Sequence, residues 1–191
     1  MRMHNFVTII RLTSVAVLLT CASPARAQTS GTFTALAKVT SPAGTSVEAP
    51  FTIDVKRFAT DAERDALIDT IKKGGSEAAR LLLMKQSDAG TLQLGGRTAS
   101  VKYAYARRIG NGRLITAITG EPIVFIGAGM PNAKDTAGYM LGLVVFEVPE
   151  TGAGQGEVVP AAKIRVDAQG AVVTEDYSAA NVVRLANVAA K

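Results

Sequence analysis

The chain has 191 residues, of which 48% are hydrophobic, and its 21 basic and 16 acidic residues give a formal net charge of +5 at pH 7. It contains one histidine, His4, and one cysteine, Cys21, and both lie within the first 27 residues. Residues 28–191 contain neither histidine nor cysteine, so they cannot form a Ser-His-Asp triad, a Cys-His pair, a Cys/His zinc site or a disulfide. Catalysis there would have to use carboxylates, lysine, tyrosine or a metal ion bound by oxygen.

Segment 1–27 is typical of a cleavable export signal. Basic residues precede an apolar run, and Ala25 and Ala27 occupy the −3 and −1 positions before Gln28. We therefore expect cleavage after Ala27, and export of the mature domain to the periplasm or to the outside of the cell. The segment carries three arginines and no acid, so cleavage lowers the net charge from +5 by three units.

Two other fates of this segment fit its sequence less well. A membrane anchor needs about twenty uninterrupted apolar residues, whereas Arg11 divides the apolar run 6–22. Lipidation at Cys21 is the second alternative, but threonine precedes this cysteine where glycine or alanine is usual in a lipoprotein cleavage box. The expected mature chain is exported, without a lipid anchor or a transmembrane span.

The basic residues of the mature chain do not form a nucleic-acid footprint. Phosphate binding needs lysines and arginines clustered on one face, and the mature chain offers only the short doublets 72–73 and 107–108, set among acids. We therefore expect no nucleic-acid partner.

Alternation of apolar and polar residues with period two dominates the chain after residue 30 and predicts β-strands with one buried face. One face of the first strand carries Phe33, Ala35, Ala37 and Val39, and one face of the second carries Phe51, Ile53 and Val55. The turn at 41–44 predicts that these strands form an antiparallel pair.

The period changes at Thr60, which forms the pattern of a helix capping box with Glu63. An apolar stripe follows, Gly74-Gly75 ends the helix, and Ser76 can cap a second one. These features predict a helical hairpin over about residues 60–86 that packs on the sheet.

Strands resume after the hairpin, to a total of about nine or ten. Val101, Tyr103 and Tyr105 alternate with polar or small residues on one strand, and Gly110-Asn111-Gly112 predicts a tight hairpin. The sequence predicts a mainly β, α+β domain: an antiparallel β-barrel, or a strongly curled sheet or sandwich, with one inserted helical hairpin. The remaining predicted strands span 91–94, 113–119, 123–126, 141–148, 157–166, 171–177 and 182–188.

Several stretches are similar to those of a family of small exported bacterial proteins with no established function. They are FTIDVKRFATDAER at 51–64, YAYAR at 103–107, EDY at 175–177 and VRLANV at 183–188. The chain departs from the family pattern at Phe58, where the family has tryptophan, and at Gly120-Glu121-Pro122, where it has Asp-Arg-Pro. The resemblance implies export and one compact domain, and it supplies no site residue.

Two groups of residues are candidates for contact with a ligand or partner. Tyr103, Tyr105 and Arg107 share one strand face, which fits either a cavity lined by two amphipathic rings and a charged end, or packing at the core and its rim. Asn132 and Lys134 lie in a long loop between two apolar strands, either a binding element or a plain connector. No motif assigns a catalytic, cofactor-binding or metal-ligating residue, and we expect no cofactor.

Three functions remain open from the sequence. The first is a non-catalytic binding module for a small apolar ligand or an envelope partner, and the second is an envelope structural or interaction protein. The third is a carboxylate-based hydrolase, which requires two acidic side chains in one cleft. The candidates for that pair are Asp54, Glu121, Glu147, Glu157, Glu175 and Asp176.

Overall fold

The computed structural model describes residues 30–40, 46–123, 139–175 and 182–191. They form ten strands and one helix: β1 Gly31–Thr40, β2 Ser46–Val55, α1 Asp61–Met84, β3 Gly90–Leu94, β4 Arg97–Ile109, β5 Gly112–Thr119, β6 Leu141–Pro149, β7 Gly154–Ala162, β8 Ile164–Val166, β9 Val172–Thr174 and β10 Val183–Ala190. The signal segment with Ala25, Ala27 and Gln28, the loop with Asn132 and Lys134, and Asp176 lie outside the described residues.

Eight of these strands close into an antiparallel barrel in the order β1-β10-β7-β6-β5-β4-β3-β2. The predicted pair β1 and β2 is confirmed, with Phe33 opposite Ile53. The predicted hairpin through Gly110 and Asn111 is confirmed as well, because Ile109 pairs with Gly112. Strands β8 and β9 form a separate two-stranded sheet. The barrel, one of the predicted alternatives, is thus the fold of this chain.

Side chains fill the middle of the barrel. Phe33 and Phe146 pack with ring centroids 5.3 Å apart, and Phe51 lies 6.5 Å from Phe146 in an edge-on arrangement. All three rings are fully buried. An eight-stranded barrel is just wide enough for its own side chains, so these rings occupy the space that a ligand would need inside.

Helix α1 begins as predicted. Thr60 Oγ1 accepts from Glu63 N at 3.2 Å, and Thr60 N donates to Glu63 Oε2 at 2.7 Å, which completes the capping box. The predicted interruption is also present, at Gly75, whose φ of 65° and ψ of −158° are not helical. The two helical segments follow each other across this break as the single helix α1, where the sequence predicted a helical hairpin. Ser76, predicted as the second cap, has its hydroxyl accept from Ile164 N of β8 at 3.2 Å.

The helix packs on the outside of the barrel through both segments. Leu67 and Ile71 of the first segment and Ala79 and Leu83 of the second are buried in one cluster with Tyr103 of β4. This cluster is distinct from the core inside the barrel, so the described part of the chain has two hydrophobic cores. Both ends of the helical insertion are fastened to β4, by hydrogen bonds of 2.7 Å from Ala59 N to Ala104 O and from Ala89 N to Val101 O.

A β-bulge in β4 decides which of its residues face the helix. The pairing with β5 shifts between Val101 and Tyr103, so that one extra residue, Lys102, is inserted on β4. Because side chains alternate with period two, the insertion exchanges the two faces. Val101 lies in the barrel core with Ala104, whereas Tyr103 belongs to the cluster under the helix. The predicted shared face of Val101, Tyr103 and Tyr105 is therefore wrong at Val101.

Candidate site: a cleft between the helix and the barrel wall

Tyr103, Tyr105 and Arg107 line one cleft. This cavity of about 420 Å³ lies between the first segment of α1 and the outer face of β4 and β5. Their predicted common face is confirmed, and it is the outer face of the barrel. The helix contributes Arg64, Asp65, Ile68, Asp69 and Lys72, and strand β5 contributes Leu114 and Thr116. The turn before β9 contributes Gln169, Gly170 and Ala171, and β9 contributes its first residue, Val172.

The local sequence of each wall determines which side chains face the cleft. On β4, Tyr105 lies opposite Thr116 and Arg107 opposite Leu114, so each pair presents one long and one shorter side chain to the cleft. On α1, lining residues recur at i, i+1, i+4, i+5 and i+8 from Arg64, the spacing of one helix face. The buried stripe of Leu67 and Ile71 lies beside this face and fixes the helix to the barrel.

Arg64 and Tyr105 join the two walls of the cleft. Arg64 Nη1 donates to the Tyr105 hydroxyl at 2.7 Å, and that hydroxyl donates to Asp61 Oδ1 at 2.8 Å. The guanidinium also binds Asp65 Oδ1 through Nε at 2.9 Å and Nη2 at 2.7 Å, and lies 5.2 Å from the centre of the Tyr105 ring. Burial and the bond to Asp61 raise the pKa of Tyr105. Arg64 is therefore committed to holding the cleft together.

Tyr103 is the most buried polar side chain of the lining. It is 5% exposed, and its hydroxyl makes no hydrogen bond with any residue that the structure describes. Burial raises the pKa of Tyr103 because the desolvated phenolate is disfavoured, so the group stays a neutral donor. A buried hydroxyl without a partner costs free energy that a bound acceptor would recover.

Two cations of the lining are uncommitted. Arg107 of β4 and Lys72 of α1 are exposed, and neither has an ion pair among the described residues. Asp69 on the helix likewise has none within the part of the chain that the structure describes. Between these groups the surface is apolar, formed by Ile68, Leu114 and Val172. The cleft thus combines an apolar floor, a buried hydroxyl donor and cationic groups.

Comparisons with family models, curated proteins and solved structures found no match to this chain. A function must therefore be inferred from the cleft and from the rest of the described surface. The similarity to a family of small exported bacterial proteins stays a prediction.

The carboxylates proposed for a hydrolase are mostly apart. Asp54 accepts a hydrogen bond from Thr32 Oγ1 at 2.9 Å, and Glu175 pairs with Lys163 at 3.2 Å. Glu147 and Glu157 do line one open cavity between β6, β7 and β10, where Arg184 forms an ion pair with Glu157. A general acid needs a carboxyl group that burial keeps protonated, whereas Glu147 is exposed and Glu157 has a cationic partner.

We also searched the described residues for a metal site, a membrane-spanning helix and exposed apolar side chains. No group of three or more histidine, cysteine, aspartate or glutamate side chains in these ranges is placed to hold a metal ion. None of the described helices has the length and apolar character needed to span a bilayer. Leu81 and Met84 on the second segment of α1 and Leu36 on β1 are the large hydrophobic residues exposed on this part of the chain.

The sequence missed most of the cleft. Its helical pattern gives Arg64 and Lys72 no distinction from ordinary helix residues, and no motif marks Thr116 or the turn at 169–172. The sequence predicts Ile68 as part of the apolar stripe of the helix with Leu67 and Ile71, and the structure places it, half-buried, in the lining of the cleft. No single-sequence signal pairs this helix face with the outer face of β4.

Proposed function

We propose that this protein is an exported, non-catalytic binding module that holds a small ligand between α1 and the outer wall of its barrel. The observation that carries this proposal is the buried hydroxyl of Tyr103, which lines a cavity of about 420 Å³ and has no hydrogen-bond partner among the described residues. Ligand cavities typically measure about 300–1,000 Å³ and combine apolar walls with a few polar groups.

The position of the ligand differs from the usual one in small barrels. The barrel interior is occupied by Phe33, Phe51 and Phe146, so a small apolar ligand inside it is disfavoured. The cleft outside offers instead the rings of Tyr103 and Tyr105 and the side chain of Leu114. A ligand with an apolar body and at least one hydrogen-bond acceptor fits these walls best.

Native mass spectrometry of the protein purified from a bacterial periplasm tests this proposal. The chain has no tryptophan, so Thr116→Trp fills the cleft with a large side chain that also serves as a fluorescent reporter. The matched control is Gln93→Trp, at an exposed position of β3 outside the cleft. We expect a reproducible added mass on the wild type and on the control, and its loss from Thr116→Trp.

Two results would overturn the binding proposal. One is a ligand-free mass for all three proteins, which would favour the envelope-interaction alternative. The other is an added mass that persists on Thr116→Trp, which would move the ligand elsewhere. The intact mass of the same sample tests export: cleavage after Ala27 leaves Gln28 as the first residue, and an uncleaved chain contradicts the signal prediction.

A further inference from the structure

Some of the charged side chains that line the cleft have a partner and others have none among the described residues. Of its three cations, Arg64 is engaged by Asp65 and by the Tyr105 hydroxyl. Arg107 and Lys72 have no such partner among the described residues, and the only uncommitted carboxylate of the lining is Asp69. The groups left for a ligand therefore carry a positive excess.

The uncommitted hydrogen-bonding groups of the cleft are mainly donors. Tyr103 presents an O–H that burial keeps protonated, Arg107 presents a guanidinium, and Lys72 an ammonium. All three are donors, and a guanidinium matches a carboxylate with two parallel hydrogen bonds. A cationic or donor-rich ligand would leave these groups unpaired, whereas an anion with acceptor oxygens satisfies them.

The exposed charge of Arg107 and the buried side chain of Tyr103 lie at different positions along β4. Arg107 is exposed at the rim, and Tyr103, four residues along the same strand, is buried. At roughly 3.3 Å per residue, their backbones lie about 13 Å apart. Ile68, Leu114 and Val172 supply apolar surface within the same cavity.

We propose that the ligand is an amphipathic carboxylate: an aliphatic chain of medium length that packs on Ile68, Leu114 and Val172, with one carboxylate that Arg107 and Lys72 attract at the exposed side of the cleft. This inference rests on the proposed function and deepens it, because it names the ligand class of the same cleft. A second acceptor oxygen on such a ligand, placed beside Tyr103, would accept a hydrogen bond from the buried hydroxyl.

Calorimetric titration with three probes of equal length tests the ligand class. The probes are decanoate, the uncharged decanamide and the cationic decylamine. We expect decanoate to bind the delipidated wild-type protein at least about tenfold more tightly than decanamide, because its bonds to charged donors are stronger. Decylamine should bind most weakly.

Charge variants assign the carboxylate to the rim. Arg107→Gln and Lys72→Gln should bring decanoate and decanamide close to equal affinity. The matched controls, Arg108→Gln and Lys73→Gln, remove the same charge from a neighbouring residue outside the cleft and should keep the preference. Equal losses in Arg107→Gln and Arg108→Gln would show general charge attraction and overturn the inference.

The results distinguish a wrong ligand class from a wrong proposed function. If decanamide or decylamine binds as tightly as decanoate, and Thr116→Trp but not Gln93→Trp abolishes that binding, the ligand class is wrong and the proposed function stands. If no probe binds the wild-type protein, the carboxylate inference is wrong, and the added mass described above decides the proposed function alone. If Thr116→Trp binds decanoate as the wild type does, this cleft is not the site.

Discussion

The hydroxyl of Tyr105 on β4 donates a hydrogen bond of 2.8 Å to Asp61 Oδ1 in the first turn of α1. The two residues are 44 positions apart in the chain, so this bond is a tertiary contact between the helix and the barrel. Arg64 donates to the same hydroxyl from the next turn of the helix. Polar contacts therefore set the distance between helix and strand beside Tyr105.

Removing this link should loosen the helix. Tyr105→Phe and Asp61→Ala are each expected to lower the free energy of unfolding by about 1 kcal/mol, because the exposed hydrogen bond between the two side chains is lost in each. In urea unfolding, the double variant should cost less than the sum, with a coupling above about 0.5 kcal/mol. Asp69→Asn, a helix carboxylate without a bond among the described residues, is the control and should change little. Strictly additive losses would contradict the link.

Loss of the Tyr103 hydroxyl, unlike loss of the Tyr105 hydroxyl, should not lower the free energy of unfolding. Tyr103→Phe removes a buried hydroxyl that has no partner among the described residues, so the ligand-free protein should be unchanged or stabilised by up to about 1 kcal/mol. The same variant should weaken binding of a ligand that carries an acceptor oxygen beside this hydroxyl, since that oxygen loses its donor. Thermal unfolding of the delipidated protein measures the first effect. A destabilisation of more than about 1 kcal/mol would mean that the hydroxyl already has a structural role.

Acid should weaken the start of the helix. The Thr60 backbone N–H and Arg57 hold the pKa of Glu63 below its usual value of 4.5, so this carboxylate stabilises the fold above pH 4.5. The contribution is lost as the pH falls through the lowered pKa of the folded state. Glu63→Gln should therefore flatten the decline of the urea midpoint between about pH 5 and pH 3. The control is Glu150→Gln, at an exposed carboxylate without an ion pair in the described ranges, and it should retain the decline.

The packing of the barrel core should be sensitive to a single methyl group on β7. A Cβ at Gly156 would lie 2.4 Å from Phe146 Cβ and 2.6 Å from Val145 O, so β6 and β7 would have to separate. We expect Gly156→Ala to lower the free energy of unfolding by about 2 kcal/mol or more. Gly120→Ala is the comparison, because its nearest atoms belong to the flexible side chains of Lys102 and Met84 at 3.0 and 3.1 Å. Equal costs in chemical denaturation would contradict this account.

Local patterns in the chain predicted much of the fold. The alternation in β1 and β2 predicted their buried faces, and the capping pair Thr60 and Glu63 predicted where α1 begins. The glycine pair at 74–75 predicted the interruption of the helix. These features depend on residues within a few positions of one another, and such short-range patterns are visible in one sequence.

The site was predictable only in part. Tyr103, Tyr105 and Arg107 were found because their spacing places them on one strand face, and the structure brings all three to one cleft. The bulge at Lys102 was not visible, since an inserted residue on β4 is defined only by its pairing with β5. The helix residues Arg64 and Lys72 were missed for the same reason, because nothing local states which surface a helix covers.

The sequence by itself determined the alternating strands, the helix start and its break, because hydrophobic period and capping chemistry act over one or two turns of chain. The absence of histidine and cysteine from residues 28–191 also limited the chemistry that those residues can perform. Tertiary structure decided that the strands close into a barrel filled by phenylalanine rings, and that Tyr103 and Tyr105 face outward. It did so because pairing register and the docking of α1 depend on contacts between residues far apart in the chain, and these created the cleft.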